Sequence, residues 1–213
     1  NIAAWQEASI GAESNGLRLT DVRVNVGDVV KAGQVLATFS ADTVLADVAQ
    51  SRASLLEAQA NAAEAAANAD RARSLQATGA LSQQQIQQFT TAEQTAKARV
   101  EAAQAALNAQ QLRLKYTQVV APDSGVISAR TATVGAVVGA GTELFRMVRK
   151  GRLEWRAEVT STELRRIQPG AKVSVTAASG AVAEGTVRMV APTVDPQTRN
   201  ALVYVDLPPM TTE

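Results

Sequence analysis

The stretch VNVGDVVKAGQVLATF, Val24 to Phe39, returns later in the chain as ATVGAVVGAGTELFRM, Ala132 to Met147. Val26, Gly27, Val29, Val30, Ala32, Gly33 and Leu36 recur as Val134, Gly135, Val137, Val138, Ala140, Gly141 and Leu144, a constant offset of 108 residues. Upstream, AESNGL (Ala12–Leu17) mirrors APDSGV (Ala121–Val126) with the offset slipped by one. Short alternating apolar runs such as LRLTDVRVNV, broken at Gly16, Gly27 and Gly33, are strand and turn signals. Each copy has too few strands to bury a core alone. The two copies therefore predict one pseudo-symmetric β-sandwich built from two halves. VGAVVGAG lacks the G-x-G-x-x-G order of a dinucleotide loop, and its twin at Val26 marks it as a repeated β-turn.

Between the copies the composition changes completely. Alanine fills 23 of the 75 positions from 41 to 115, and Gln, Glu, Arg and Leu fill most of the rest. These are the strongest helix formers. The block contains a single glycine, Gly79, within RARSLQATGALS (Arg71–Ser82). Gly79 reads as a C-terminal cap. Ser82, with Gln85 three residues on, reads as the N-cap and capping box of a new helix. The chain should thus form an antiparallel helical hairpin over 41–116 with its tip near 78–82. Each arm has roughly 35 residues and a length of about 50 Å.

In the second arm Ile86, Phe89, Glu93, Ala96, Val100, Ala103, Leu107, Gln110 and Leu114 step by three and four, a coiled-coil seam. In the first arm the stripe runs through Ala41, Leu45, Val48, Leu55, Ala62, Ala66 and Ala69, interrupted by Arg52 and Gln59. Alanine makes the seam thin, so the helices approach closely but bury little area. Residues 150–213 are strand-like again: RLEWRAEVT, AKVSVTA, GTVRMV and ALVYVDL are separated by Gly and Pro turns.

Composition narrows the function. The 213 residues carry a net charge of +1 and 3% aromatics. A nucleic-acid grip needs a clustered basic face, and base stacking needs aromatic platforms; neither is supported. There is no cysteine and no histidine. The commonest general base and the commonest transition-metal ligand are therefore missing, and no Ser-His-Asp or Cys-His relay can be assembled. No run of eighteen apolar residues spans a bilayer, and no signal peptide is visible at Asn1. The sequence reads as a mature or trimmed fragment.

The order of these segments resembles the periplasmic adaptor, or membrane fusion, proteins of the HlyD family, in particular the adaptors of resistance–nodulation–division efflux pumps. GLRLTDVRVNVGDVVKAGQVLATF is similar to the family's opening lipoyl-like half-motif. YTQVVAPDSGVI is similar to the motif where the hairpin returns to the second half. VDPQTRNALVYVDLP (Val194–Pro208), with Thr198 and Arg199 in the expected place, resembles the barrel signature. The resemblance implies an α+β, elongated, multidomain chain: a split lipoyl-like β-sandwich with an inserted antiparallel coiled-coil hairpin, then an incomplete β-barrel. The expected domains are an N-terminal strand from the membrane-proximal side (1–12), a first lipoyl-like half (13–40), the hairpin (41–116), a second half (117–149) and a C-terminally truncated barrel (150–213).

Adaptors that dock on TolC-type outer-membrane channels carry R-x-x-x-L-x-x-x-x-x-x-S at the hairpin tip, and Arg71, Leu75 and Ser82 match that spacing. An arginine fork and a hydroxyl suit backbone groups at a channel's helix-turn ends, and a leucine supplies an apolar anchor. The implied function is non-enzymatic: a periplasmic sleeve between an inner-membrane pump of the resistance–nodulation–division type and a TolC-type channel. The implied assembly is a hexameric ring, held to the inner membrane by an N-terminal segment absent from this chain. Catalytic, cofactor and metal sites are all expected to be absent, as are cofactors and nucleic-acid partners. An adaptor of an ABC-type or type I secretion exporter is the alternative. A biotin or lipoate carrier would present a lysine on the turn joining the halves; here the hairpin replaces that turn, and Lys31 lies away from the junction.

Overall fold

A computed structural model of the chain describes residues 2–76, 79–164, 166–176, 182–194 and 200–208. Its elements in chain order are β1 (Ile2–Ala4), β2 (Glu7–Gly11), β3 (Leu17–Val22), β4 (Val29–Val30), β5 (Val35–Phe39), α1 (Asp42–Gln76) and α2 (Gln83–Lys115). There follow β6 (Gln118–Val120), β7 (Gly125–Arg130), β8 (Val137–Val138), β9 (Glu143–Arg149), β10 (Leu153–Thr160), α3 (Ser161–Leu164), β11 (Lys172–Thr176), β12 (Val182–Val194) and β13 (Asn200–Asp206). The residues group into two compact units, 1–38 with 119–213, and 39–118. No helix among the described residues is long and apolar enough to cross a membrane.

The internal repeat folds as a swapped pair. One four-stranded sheet runs β2-β9-β7-β4 and the other β6-β5-β3-β8. The 108-residue offset carries β3 onto β7, β4 onto β8 and β5 onto β9, so one order is the other with the halves exchanged. Each half lends its two-residue strand to its twin: β4 pairs with β7 and β8 with β3. The turn hydrogen bonds obey the same exchange. Gly27 N–H donates to Ile127 O at 2.9 Å, and Gly135 N–H to Leu19 O at 2.8 Å. Ile127 N–H returns to Asp28 O at 3.0 Å, and Leu19 N–H to Ala136 O at 2.8 Å. Gly27 and Gly135 sit at φ +95° and +90°, where a Cβ is disfavoured, which is why both copies keep glycine there.

The sandwich core is correspondingly twinned. Leu19 and Ile127, Leu36 and Leu144, and Phe39 and Met147 are all buried. Full burial of such side chains contributes about 1.5–3 kcal/mol each. Neither half can complete a sheet or a core without the other, so the two must fold as one.

The C-terminal strands form a five-stranded antiparallel sheet, β1-β10-β13-β12-β11. Period-two alternation gives it an apolar face of Ala157, Val175, Val187, Val203, Val205 and Leu207. The other face is ionic. Glu154, only 2% exposed, accepts from Arg156 Nε at 2.8 Å and from Arg188. Asp206 pairs with Arg152 at 2.9 Å and Arg188 at 3.1 Å, and the Arg152 guanidinium stacks over Trp5 at 4.4 Å. Each carboxylate thus meets two arginines, the compensation that a carboxylate as buried as Glu154 requires. β12 ends at Val194 and β13 begins at Asn200, so Thr198 and Arg199 lie outside the described residues.

The hairpin arms are α1, 35 residues, and α2, 33 residues. In α2 the expected seam positions are buried or half-buried with one exception: Phe89 is 37% exposed, and Thr90 turns inward instead, its hydroxyl donating to Ile86 O at 3.0 Å. Along the first arm six of the seven expected apolar positions lie on the buried side, Ala66 half-buried beside Ala65, and the stripe departs from expectation at Leu45. Ala41, Val48, Leu55, Ala62 and Ala69 lie on the buried side, but Leu45 is 49% exposed and Val44 is buried in its place. The seam is Val44, Val48, Ser51, Leu55, Ala58, Ala62, Ala65, Ala69 and Ala72, an unbroken 4–3 repeat. Arg52 and Gln59 are exposed and interrupt nothing. The displacement at position 45 has a physical source. In an alanine-rich helix the intermediate position can be filled at either of two adjacent residues, and leucine at 45 outweighs valine at 44 when hydrophobicity alone decides.

Candidate functional site

The tip of the hairpin is where the helical pattern stops and restarts. α1 ends at Gln76; Ala77 and Thr78 lie outside the described residues. Gly79 has φ +69° and donates its N–H to Gln76 O at 3.1 Å, satisfying one of the carbonyls a helix end leaves open. Ser82 is the N-cap of α2. Its Oγ accepts from Gln85 N–H at 3.3 Å, and Gln85 Oε1 accepts from Ser82 N–H at 2.9 Å, a reciprocal capping box.

Arg71 and Leu75 occupy the last turns of α1, one helical turn apart on one face. Both are exposed, Leu75 by 42%, while Ala69 and Ala72 on the seam side are buried. Arg71 Nη2 donates to Asn68 Oδ1 at 2.5 Å, and Ser74 Oγ donates to Arg71 O at 2.8 Å. The guanidinium is therefore steadied along the helix surface and keeps donors for another acceptor. Ser82 Oγ accepts the capping bond and retains its own O–H as a donor. Beyond it, Gln84, Gln87, Gln88 and Thr91 line a shallow groove along α2, a neutral row of amides and a hydroxyl. The tip thus offers one apolar anchor, one cation and several uncharged hydrogen-bonding groups. Nothing in that set resembles a relay of nucleophile and base.

One feature of the tip region has no counterpart in the spacing of Arg71, Leu75 and Ser82. Glu93 lies on the seam and is 8% exposed. It accepts from Lys97 Nζ at 2.6 Å on its own helix and from Arg73 Nη1 at 3.0 Å across the hairpin. Arg73 also donates to Asp70 at 2.6 Å. These bonds, Lys97 first and Arg73 second, hold the Glu93 carboxyl below the usual carboxylate range. Asp70 and then Glu93 raise Arg73 further. A charge on a seam position is visible in the sequence, as is Lys97 four residues on. The partner on the opposite arm is not, because only the register of the two helices brings it there.

No group of three or more His, Cys, Asp or Glu side chains suited to a metal ion occurs among the described residues. An apolar hollow of about 340 Å³ lies over the inner face of the five-stranded sheet, lined by Trp155, Val173, Val187 and Val203 among others. Its walls carry little chemistry.

No family model matches the chain. It is 32% identical over 201 residues to the nickel-cobalt-cadmium resistance protein NccB of Alcaligenes xylosoxydans xylosoxydans, covering 93% of this chain and 49% of that protein. It is 34% identical over 188 residues to the nickel and cobalt resistance protein CnrB of Cupriavidus metallidurans, covering 86% and 46%. The chain thus spans about half the length of these relatives. Among solved structures, the membrane fusion protein Spr0693 of Streptococcus pneumoniae R6 superposes with a TM-score of 0.74 at 17% identity, over all of this chain and 90% of that one.

Proposed function

Because this chain belongs to the membrane fusion, or periplasmic adaptor, proteins, we propose that it is the adaptor of a tripartite efflux system, bridging an inner-membrane pump and a TolC-type outer-membrane channel. The observation that carries this reading is the hairpin tip: Arg71 and Leu75 stand exposed on one face, with Ser82 opening the next helix. Ala69 and Ala72 fill the seam side of this turn, and Arg71 and Leu75 lie outside it, exposed.

The pump is of the resistance–nodulation–division type, and the adaptor works in the periplasm, held to the inner membrane. Several copies act together, six in the assembled ring. The twinned sandwich supports self-association: Val26 and Val29 in one turn, and Val134 and Val137 in its copy, are all exposed. The protein performs no catalysis; its work is to hold a passage. The names of NccB and CnrB favour small metal cations as cargo, passed through the pump rather than held by this chain.

The test is a strain lacking the native gene, complemented with the full-length protein. Loss of nickel or cobalt tolerance on deletion, restored by the gene, together with chemical cross-links from the adaptor to both a pump and a channel, is the expected result. Undiminished export after deletion, or cross-links to neither partner, refutes the proposal.

A further inference from the structure

We infer that Glu93 is a positioning residue: a buried interhelical clamp that holds the end of α1 against α2 and so fixes how Arg71 and Leu75 stand relative to Ser82. The inference rests on the docking role proposed for the tip, and deepens it.

The two ends of the hairpin are held differently. At its base the backbone itself closes the unit, with Phe39 N–H donating to Thr117 O at 2.8 Å. Bulky buried side chains, Val44, Leu55 and Leu107, lie in the lower part of the arms. Toward the tip α1 buries only small side chains, Ala69 and Ala72, and α2 buries Ala96 and Glu93. Packed alanines gain little area and discriminate poorly between neighbouring alignments. A single polar group on a seam is the best-attested device for specifying one alignment. Glu93 fills that role here, because its partner Arg73 sits on the other arm between Arg71 and Leu75. Asp70 and Lys97 complete the cluster, so the two cations meet two carboxylates and none is left buried alone.

The chain has no cysteine, so paired spin labels can be introduced cleanly. Labels at Ser74 and Gln87 report the tip; labels at Ala46 and Gln111 report the base. All four positions are exposed. In the full-length protein, Glu93→Ala should broaden the tip distance distribution while the base distribution and the melting of the β unit stay unchanged. Glu93→Gln, which keeps an acceptor for Arg73, should restore much of the narrow tip distribution. Photo-cross-linking from Gln84 to the outer-membrane channel should fall several-fold in Glu93→Ala and recover in Glu93→Gln.

An unchanged tip distribution in Glu93→Ala overturns the inference. So does a broadened tip with undiminished cross-linking in a system where Arg71→Asp abolishes it. If Arg71→Asp also leaves cross-linking intact, the docking role itself has failed, and the distance measurement alone then decides the clamp.

Discussion

The sandwich and the hairpin solve the same problem, burying a repeated pattern, with opposite economies. In the sandwich the buried side chains are large: Phe145, Leu19, Leu36, Ile127, Leu144 and Met147 are essentially inaccessible. In the hairpin five of the nine α1 seam positions are alanine, and Leu55 and Leu107 are the largest buried groups of the two helices. The sandwich therefore carries redundancy that the hairpin lacks. What the hairpin gains is two helices closely approached over about 50 Å with their outer faces free. With the docking role proposed for the tip, mutations should cost stability in the twinned core and activity at the tip.

The largest expected effect tests that division at its strongest point. Leu36→Ala and Leu144→Ala each remove a fully buried leucine and should cost about 2–5 kcal/mol in urea unfolding. Because the two sites are twins, their costs should agree closely. A large effect at one and a negligible effect at the other would break the claim that the halves form one core. The C-terminal sheet should respond less. Glu154→Ala removes the acceptor shared by Arg156 and Arg188, both partly exposed and able to recover water, and should cost about 1–3 kcal/mol. Smaller still is Ser82→Ala, which deletes the N-cap of α2 and should cost about 1 kcal/mol, read as lost helicity near the tip by hydrogen exchange.

Acidification sharpens the same comparison. The Glu93 carboxyl is held low by Lys97 and Arg73, so its stabilising contribution is full above the unfolded glutamate value of about 4.3 and is lost as pH falls through the lower folded value. Asp123 in the sandwich is held low in the same sense, by Arg149 and then by the Ser124 N–H. Both units weaken in acid, but the thin seam should loosen first. Spin-label distances at the tip should broaden at a higher pH than the near-ultraviolet signal of the β unit changes, and Glu93→Gln should remove that acid dependence from the tip.

Much of this was legible in the sequence because it rests on local chemistry or on repetition. The 108-residue offset announced the twinned sandwich, and Gly79, Ser82 and Gln85 announced the turn and its capping box. What was not legible depended on phase and register. An alanine-rich helix reads almost equally well with its intermediate seam positions at 45, 52 and 59 or one residue earlier, and only packing chooses the latter. Phe89 looked like a seam residue by size, yet Thr90 takes the inward place near the tip. Arg73 could not be matched with Glu93, because a contact across antiparallel helices is set by the connection between them rather than by spacing along either.

On the proposed docking role, the tip binds a channel and is not needed to fold the chain. Full-length protein carrying Arg71→Asp, in a strain without the native copy, tests it most directly when channel cross-linking is scored beside thermal melting. An exposed helical substitution should change stability by less than about 0.5 kcal/mol. The melting temperature should stay unshifted while cross-linking and export are lost. Normal cross-linking and export, or a melting temperature that collapses with them, would contradict it.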